Sequence, residues 1–132
     1  MDARFWYDGR WWENQPKVLG PMDHAMWMSS SVFDGARIFD GLAPDLDRHC
    51  ARLIASAEHM LLAPTLSAED VQGLAIEAFR QMPREKAYYV RPMFYATRGF
   101  VAPEPESTEF LLAVYEAAMP PPAGFSMTLA PF

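Results

Sequence analysis

At 132 residues, half of them apolar, the chain can bury roughly two-thirds of its unfolded surface as one domain, or as one domain and part of a second. Its formal net charge of -6 comes from scattered acids, with no run of lysine or arginine to neutralise successive phosphates, which argues against a nucleic-acid partner. Cys50 is the single cysteine, Asp2 and Asp8 interrupt the place of a signal peptide, and no stretch nears the roughly 20 apolar residues of a membrane helix. The reading is a cytoplasmic protein with no intrachain disulfide and no membrane partner.

Two aromatic runs, Phe5 to Tyr7 and Trp11 to Trp12, flank Asp8-Gly9. Asp-Gly between strand formers predicts a hairpin, because both turn positions favour positive φ. After a loop with Pro16 and Pro21, the segment from His24 to Asp45 contains an extended stretch with Phe33, Gly35, Arg37 and Phe39 on one face and Asp34, Ala36 and Ile38 on the other, ended by Gly41 and Pro44. From Asp45 the period changes: Leu46, Cys50, Leu53, Ile54, Ala57 and Leu61 mark the apolar face of a helix over 46–61, with Asp45 and Asp47 suited to its N-terminus. Pro64 stops it. Ser67, followed by Glu69 and Asp70, predicts the cap of a second helix over 67–81.

The run from Ala87 to Gly99 reads as a strand, with Tyr89, Arg91, Met93 and Tyr95 on one face and Tyr88, Val90 and Phe94 on the other. Pro92 has no N–H to give, so this strand is predicted to be at an edge or irregular on that side. The apolar run from Phe110 to Tyr115 predicts a further strand, covered on both sides. Together these elements predict an α+β fold: an antiparallel sheet with two helices packed on one face. Pro120 to Pro122 make a stiff connector. The organisation read from this is a domain over 1–119, a connector over 120–123, and at 124–132, where Phe125, Met127 and Leu129 alternate with smaller residues, the first strand of a large domain lying outside the chain.

Arg91 beside Tyr89, and Arg37 beside Phe33, each place a guanidinium on an otherwise apolar strand face. An unpaired buried charge is costly, so each arginine either joins a structural ion pair or binds an anion such as a carboxylate or phosphate in its planar fork. On the first helix, Arg48, His49, Arg52, Ser56 and His59 line the side away from the apolar stripe, which suits a phosphate or an ordinary solvated face. His24, His49 and His59 have no ligand partners at zinc spacing, so no metal site is predicted. Met26 and Met28 read as packing residues, and Ser29 to Ser31 lack the context of a serine nucleophile.

In order and spacing, SVFDGAR at Ser31–Arg37, RLIASA at Arg52–Ala57 and YVRP at Tyr89–Pro92 resemble three motifs of the small N-terminal domain of class IV, fold-type IV aminotransferases, and of their branched-chain subgroup in particular. The resemblance implies pyridoxal 5'-phosphate as cofactor and transfer of an amino group between an amino acid, of the branched-chain L type, and a 2-oxo acid. It implies that Arg52 binds the cofactor phosphate. It further implies that Phe33, Arg37, Tyr89 and Arg91 line the substrate pocket, and that Val101 closes the site of a neighbouring subunit in a homodimer. Met28 stands where branched-chain members usually carry a pocket tyrosine, which keeps D-amino-acid transamination, amine transamination and aminodeoxychorismate lysis open. The cofactor-binding lysine of the family falls beyond the connector, and neither Lys17 nor Lys86 matches it, so residues 1–132 alone are expected to be inactive. The alternative of another class is a non-catalytic binding or dimerisation module derived from this small domain.

Overall fold

The computed structural model describes residues 2–130. Strand β1 (Ala3–Tyr7) turns through Asp8 and Gly9, both at positive φ, into β2 (Arg10–Trp12). The helix α1 (His24–Met28) leads to two short strands, β3 (Ser31–Phe33) and β4 (Ala36–Ile38). Helices α2 (Leu46–His59) and α3 (Ala68–Arg80) follow, then β5 (Tyr88–Ala96) and β6 (Thr108–Glu116). All pairings are antiparallel, in the order β2-β1-β6-β5-β3 with β4 also on β5.

Both long helices lie on one face of this sheet. Leu46, Cys50, Leu53 and Ala57 of α2 and Val71, Ala75 and Ala78 of α3 pack with Ile38, Tyr88, Val90, Phe94, Leu112 and Val114 in one buried cluster. The α+β architecture matches the sequence reading, as does the cap of α3, where Ser67 Oγ accepts from the Asp70 amide and Asp70 Oδ2 accepts from the Ser67 amide, both at 3.1 Å.

One local expectation needs correction and one element was not expected. The unexpected element is α1, whose five residues are too few for helical period to register against the neighbouring apolar residues. The strand through Arg37 is broken at Asp34–Gly35. The break falls opposite Pro92, which has no N–H to offer and whose carbonyl receives the Asp34 amide at 3.4 Å. Accordingly β5 is no edge strand but is flanked on both sides, and its irregularity is confined to the side where β3 gives way to β4. Asp45 and Asp47 stand at the N-terminus of α2 as expected, Asp45 at the N-cap position with φ 52 and no side-chain cap bond, and Asp47 in the first turn.

Past β6 the backbone leaves the sheet. Residues 117–130 form no ladder, and Phe125, Met127 and Leu129 are exposed.

Candidate functional site

Cross-strand register decides which side chains share a face, since residues directly opposite point the same way. Arg37 pairs with Tyr89, Tyr89 with Tyr115, Arg91 with Ala113, and Phe33 with Met93. Phe33, Arg37, Tyr89 and Arg91 therefore all stand on the sheet face away from α2 and α3. They are half-buried or exposed, Phe33 at 57 %.

On that face the side chains form a line across β4, β5 and β6. The Arg37 guanidinium carbon lies 5.3 Å from the Tyr89 ring centroid, the Tyr89 and Tyr115 rings are 5.7 Å apart, and the Arg91 guanidinium carbon lies 5.4 Å from the Tyr115 ring. These are separations at which cation–π and tilted aromatic contacts are favourable. Arg37 Nη1 donates to the carbonyls of Ala117 (2.9 Å) and Ala118 (3.3 Å). Arg91 differs. Its buried Nε has no hydrogen-bond partner among the described residues, and none of their carboxylates pairs with it. It borders a half-open hollow of about 230 Å³ lined also by Phe5, Val18, Leu111, Ala113 and Tyr115. A mostly apolar hollow with one unsatisfied guanidinium is suited to a small organic anion.

A second cluster lies on the helix side. Arg52 grips Asp34 with two bonds, Nε to Oδ2 at 2.5 Å and Nη2 to Oδ1 at 2.8 Å, while His49 Nδ1 donates to Oδ1 at 2.6 Å. The last contact fixes the proton on Nδ1, because a carboxylate can only accept. Burial of Asp34, 7 % exposed, disfavours its charge, but the bonds from Arg52 and His49 outweigh that and hold its carboxyl below the ordinary range. Arg52 itself is 64 % exposed in its side chain. With Nε and Nη2 committed to Asp34, its Nη1 end makes no hydrogen bond among the described residues and faces outward as a donor. The rest of the basic helix face disperses: Arg48 meets Asp45 at 3.8 Å in solvent, and His59 Nδ1 bonds the Ala55 carbonyl.

Asp34 and Gly35 join the two clusters. Gly35 carries no side chain where the Tyr89 phenol rests: a Cβ there would overlap the hydroxyl and come within 2.6 Å of Cζ. One residue of the β3–β4 break thus holds Arg52 and the next seats Tyr89. Neither Asp34 nor Gly35 stood out as a site residue in the sequence, and Tyr115 was also missed, although it alternates in phase with Leu111 and Ala113.

Val101 stands apart from both, 79 % exposed at the tip of a tight loop closed by the Gly99–Pro103 bridge. His24, buried, staples α1 to this loop through Nε2 to the Phe100 carbonyl (2.9 Å) and Nδ1 to Ser30 Oγ (2.8 Å). Trp27 lies between the two, its ring 5.2 Å from His24 and 6.3 Å from Phe100.

Other reactive groups are quiet. Burial pushes the Cys50 thiol up to about 11, so it is inert near neutrality. Lys86 donates to Asp2 Oδ2 (2.8 Å) and Glu116 Oε2 (3.0 Å), which hold its ammonium protonated well above the usual lysine range.

The family model for amino-transferase class IV matches residues 31–130. Among solved structures, an aminotransferase from Brucella abortus bound to pyridoxal phosphate superposes with a TM-score of 0.94 and 41 % identity, over 100 % of this chain and 48 % of that one. The Escherichia coli branched-chain amino acid aminotransferase gives a TM-score of 0.76 at 22 % identity, over 87 % and 41 %. That of the archaeon Thermoproteus uzoniensis, with norvaline, gives 0.70 at 22 % identity, over 86 % and 40 %. At the lower identity the likeness is one of fold. The chain spans about half the length of the structures it matches, and no curated protein matches it.

Proposed function

We propose, from the premise that this chain belongs to the class IV aminotransferase family, that it is the substrate-side domain of a pyridoxal-phosphate-dependent transaminase. The observation that carries this reading is the unsatisfied Arg91 guanidinium beside an apolar hollow, on the face that also holds Tyr89 and Phe33. In this scheme Arg91 binds the carboxylate of an amino acid or 2-oxo acid, the Tyr89 phenol, seated on Gly35, sets the orientation of that carboxylate, and Phe33 contacts the side chain. Positioning is the catalytic share of such residues, since a fixed geometry replaces entropy otherwise lost in the transition state.

The donor set on α2 fits a phosphate. Arg52 is preset by Asp34 and His49 and turns its free Nη1 end outward, so it holds one corner of the cofactor phosphate without the reorganisation a loose arginine needs. When bound, pyridoxal phosphate supplies the electron sink for breaking the Cα–H bond. Lys86, held as an ammonium between two carboxylates, does not serve as the amine. The amine belongs to a part of the protein beyond the connector at 120–123, in the same scheme as a large domain starting near 124, and residues 1–132 by themselves are inactive.

The substrates we propose are branched-chain L-amino acids and their 2-oxo acids, on the strength of the YVRP motif and the apolar lining around Arg91. The exposed cluster of Met26, Trp27, Phe100 and Val101 supports a homodimer in which Val101 reaches the neighbouring subunit's site, and the buried, inert Cys50 suits the cytoplasm.

The test uses the full-length protein loaded with cofactor and offered 2-oxoglutarate with leucine, isoleucine, valine, D-alanine or a primary amine. Turnover of the branched-chain L-amino acids is expected. A preference for D-alanine or the amine, which Met28 at the end of α1 makes the informative comparison, moves the assignment to that activity. No turnover of any pair favours the non-catalytic module.

A further inference from the structure

We infer that Arg37 is a positioning residue that clamps Ala117 and Ala118, the residues leading towards the interdomain connector, to the face carrying Arg91. This inference rests on the transaminase reading for its kinetic consequence and on geometry alone for the clamp.

Arg37 and Arg91 share a face, yet their donors are in opposite conditions. Arg37 Nη1 already donates to two carbonyls, Ala117 and Ala118, the residues that directly follow β6. A carboxylate arriving there would meet a guanidinium already anchored through Nη1, with only Nε and Nη2 left, whereas the Arg91 guanidinium makes no hydrogen bond among the described residues. Arg91 has its whole fork free for an anion, while one end of Arg37's is engaged with the backbone.

The clamp also answers a need set by the sequence. Pro120, Pro121 and Pro122 have no N–H, so the connector cannot fasten itself to the sheet with its own amides. What it can offer is carbonyls, and a carbonyl must be met by a donor from elsewhere. Ala117 is additionally held by its amide on the Ala87 carbonyl at 3.0 Å, but the only hydrogen bond received by the Ala118 carbonyl among the described residues is that from Arg37.

Arg37 is itself fixed. It lies opposite Tyr89 in the β4–β5 ladder, its guanidinium over the Tyr89 ring, which meets the Tyr115 ring, which carries Arg91. The connector's exit point and the anion-binding arginine are thus tied to one pair of tyrosines. Losing Arg37 would leave Arg91 in place but free the path by which the chain leaves the sheet, and with it the spacing between the bound carboxylate and whatever the connector leads to. The expected result is a loss in turnover with substrate affinity kept.

The experiment compares wild type, Arg37→Met, Arg37→Lys and Arg91→Met in the full-length protein, by hydrogen exchange resolved at the Ala117 amide and by steady-state kinetics. Arg37→Met should speed exchange of the Ala117 amide, which is held on the Ala87 carbonyl, by about tenfold and lower kcat with KM changed by no more than about twofold. Arg37→Lys, which can still donate to both carbonyls, should recover part of each. Arg91→Met should leave that exchange at the wild-type rate while raising KM by at least about tenfold. Unchanged exchange in Arg37→Met, or a rise in its KM equal to that of Arg91→Met, overturns the inference. If the wild type turns over no amino acid at all, the transaminase reading falls, while the exchange measurement still decides the clamp.

Discussion

The two faces of β5 and β6 are built by the same alternation and used in opposite ways. Facing the helices, Tyr88, Val90, Phe94, Leu112 and Val114 are fully or almost fully buried in a continuous core with α2 and α3. On the other face Tyr89, Arg91, Met93, Leu111 and Tyr115 are only half-buried, and neither α2 nor α3 covers them. Tyr95 and Ala113 are the buried exceptions there. The covered face spends its residues on removing apolar area from water. The open face holds rings and guanidinium groups in place without closing over them, which leaves donors available to something other than this chain. Substitutions on the two faces should therefore separate stability from binding.

The largest loss of stability is expected on the covered face. Leu53, 0 % exposed between the two helices and the sheet, should cost about 3 kcal/mol when changed to alanine, because neighbours close only part of the cavity left behind. Urea unfolding would read it, and a cost under about 1 kcal/mol would mean that this core is loosely packed.

Next comes Gly35→Ala, at the seam between the faces. The added methyl would overlap the Tyr89 hydroxyl, so the ring must leave its seat or the β3–β4 break must shift, at about 2 kcal/mol. If Tyr89 alone moves, the cost of Gly35→Ala should largely vanish in a Tyr89→Leu background, which lacks both the hydroxyl and Cζ. Failure of that rescue would show that the backbone itself yields.

Asp34→Asn should cost about 1.5 kcal/mol at neutral pH, a figure kept low because Arg52 is largely in solvent. Its dependence on pH has a definite sign. The folded carboxyl is held below its unfolded value, so Asp34 contributes stability fully above the unfolded pKa of about 4, and loses it as pH falls through the lower folded one. The stability gap between wild type and Asp34→Asn should be flat above about pH 5 and shrink below about pH 4. A gap that widens on acidification would show that burial of the charge, and not its bonding, dominates.

Much of this division could be read from the chain. Alternation in β5 put Tyr89 and Arg91 on the face opposite Tyr88, Val90 and Phe94, and the change from period two to period three to four located both long helices within a residue or two of their ends. Alternation fails where the backbone departs from regular geometry. It ran straight through Asp34 and Gly35, although Pro92 opposite them carried the hint that the ladder could not continue on that side. The Arg52–Asp34 pair and the Arg37 bonds to Ala117 and Ala118 join residues 18 and about 80 positions apart, and periodicity holds no information about such pairings. It could pose the choice between ion pair and free anion site for each arginine but could not make it. The fold then gave Arg52 a carboxylate, Arg37 a pair of carbonyls and Arg91 neither.

The smallest effect on stability, and the one that bears most directly on the difference between the faces, is expected for Arg91→Met. Methionine keeps much of the apolar length of the arginine stem against the hollow wall, so packing is largely conserved. What is lost is the contact with the Tyr115 ring, worth about 0.5–1 kcal/mol at a half-exposed site. What is gained is relief from burying an Nε without a partner, which is of similar size. The two nearly cancel, and unfolding should stay within about 0.5 kcal/mol of wild type. Half a turn along the same strand, Val90, fully buried in the core, has no such cancellation available, and its change to alanine should cost several times more. If Arg91→Met instead destabilises by about 2 kcal/mol or more, the guanidinium is part of the packing and the open face is a second core surface rather than a binding one.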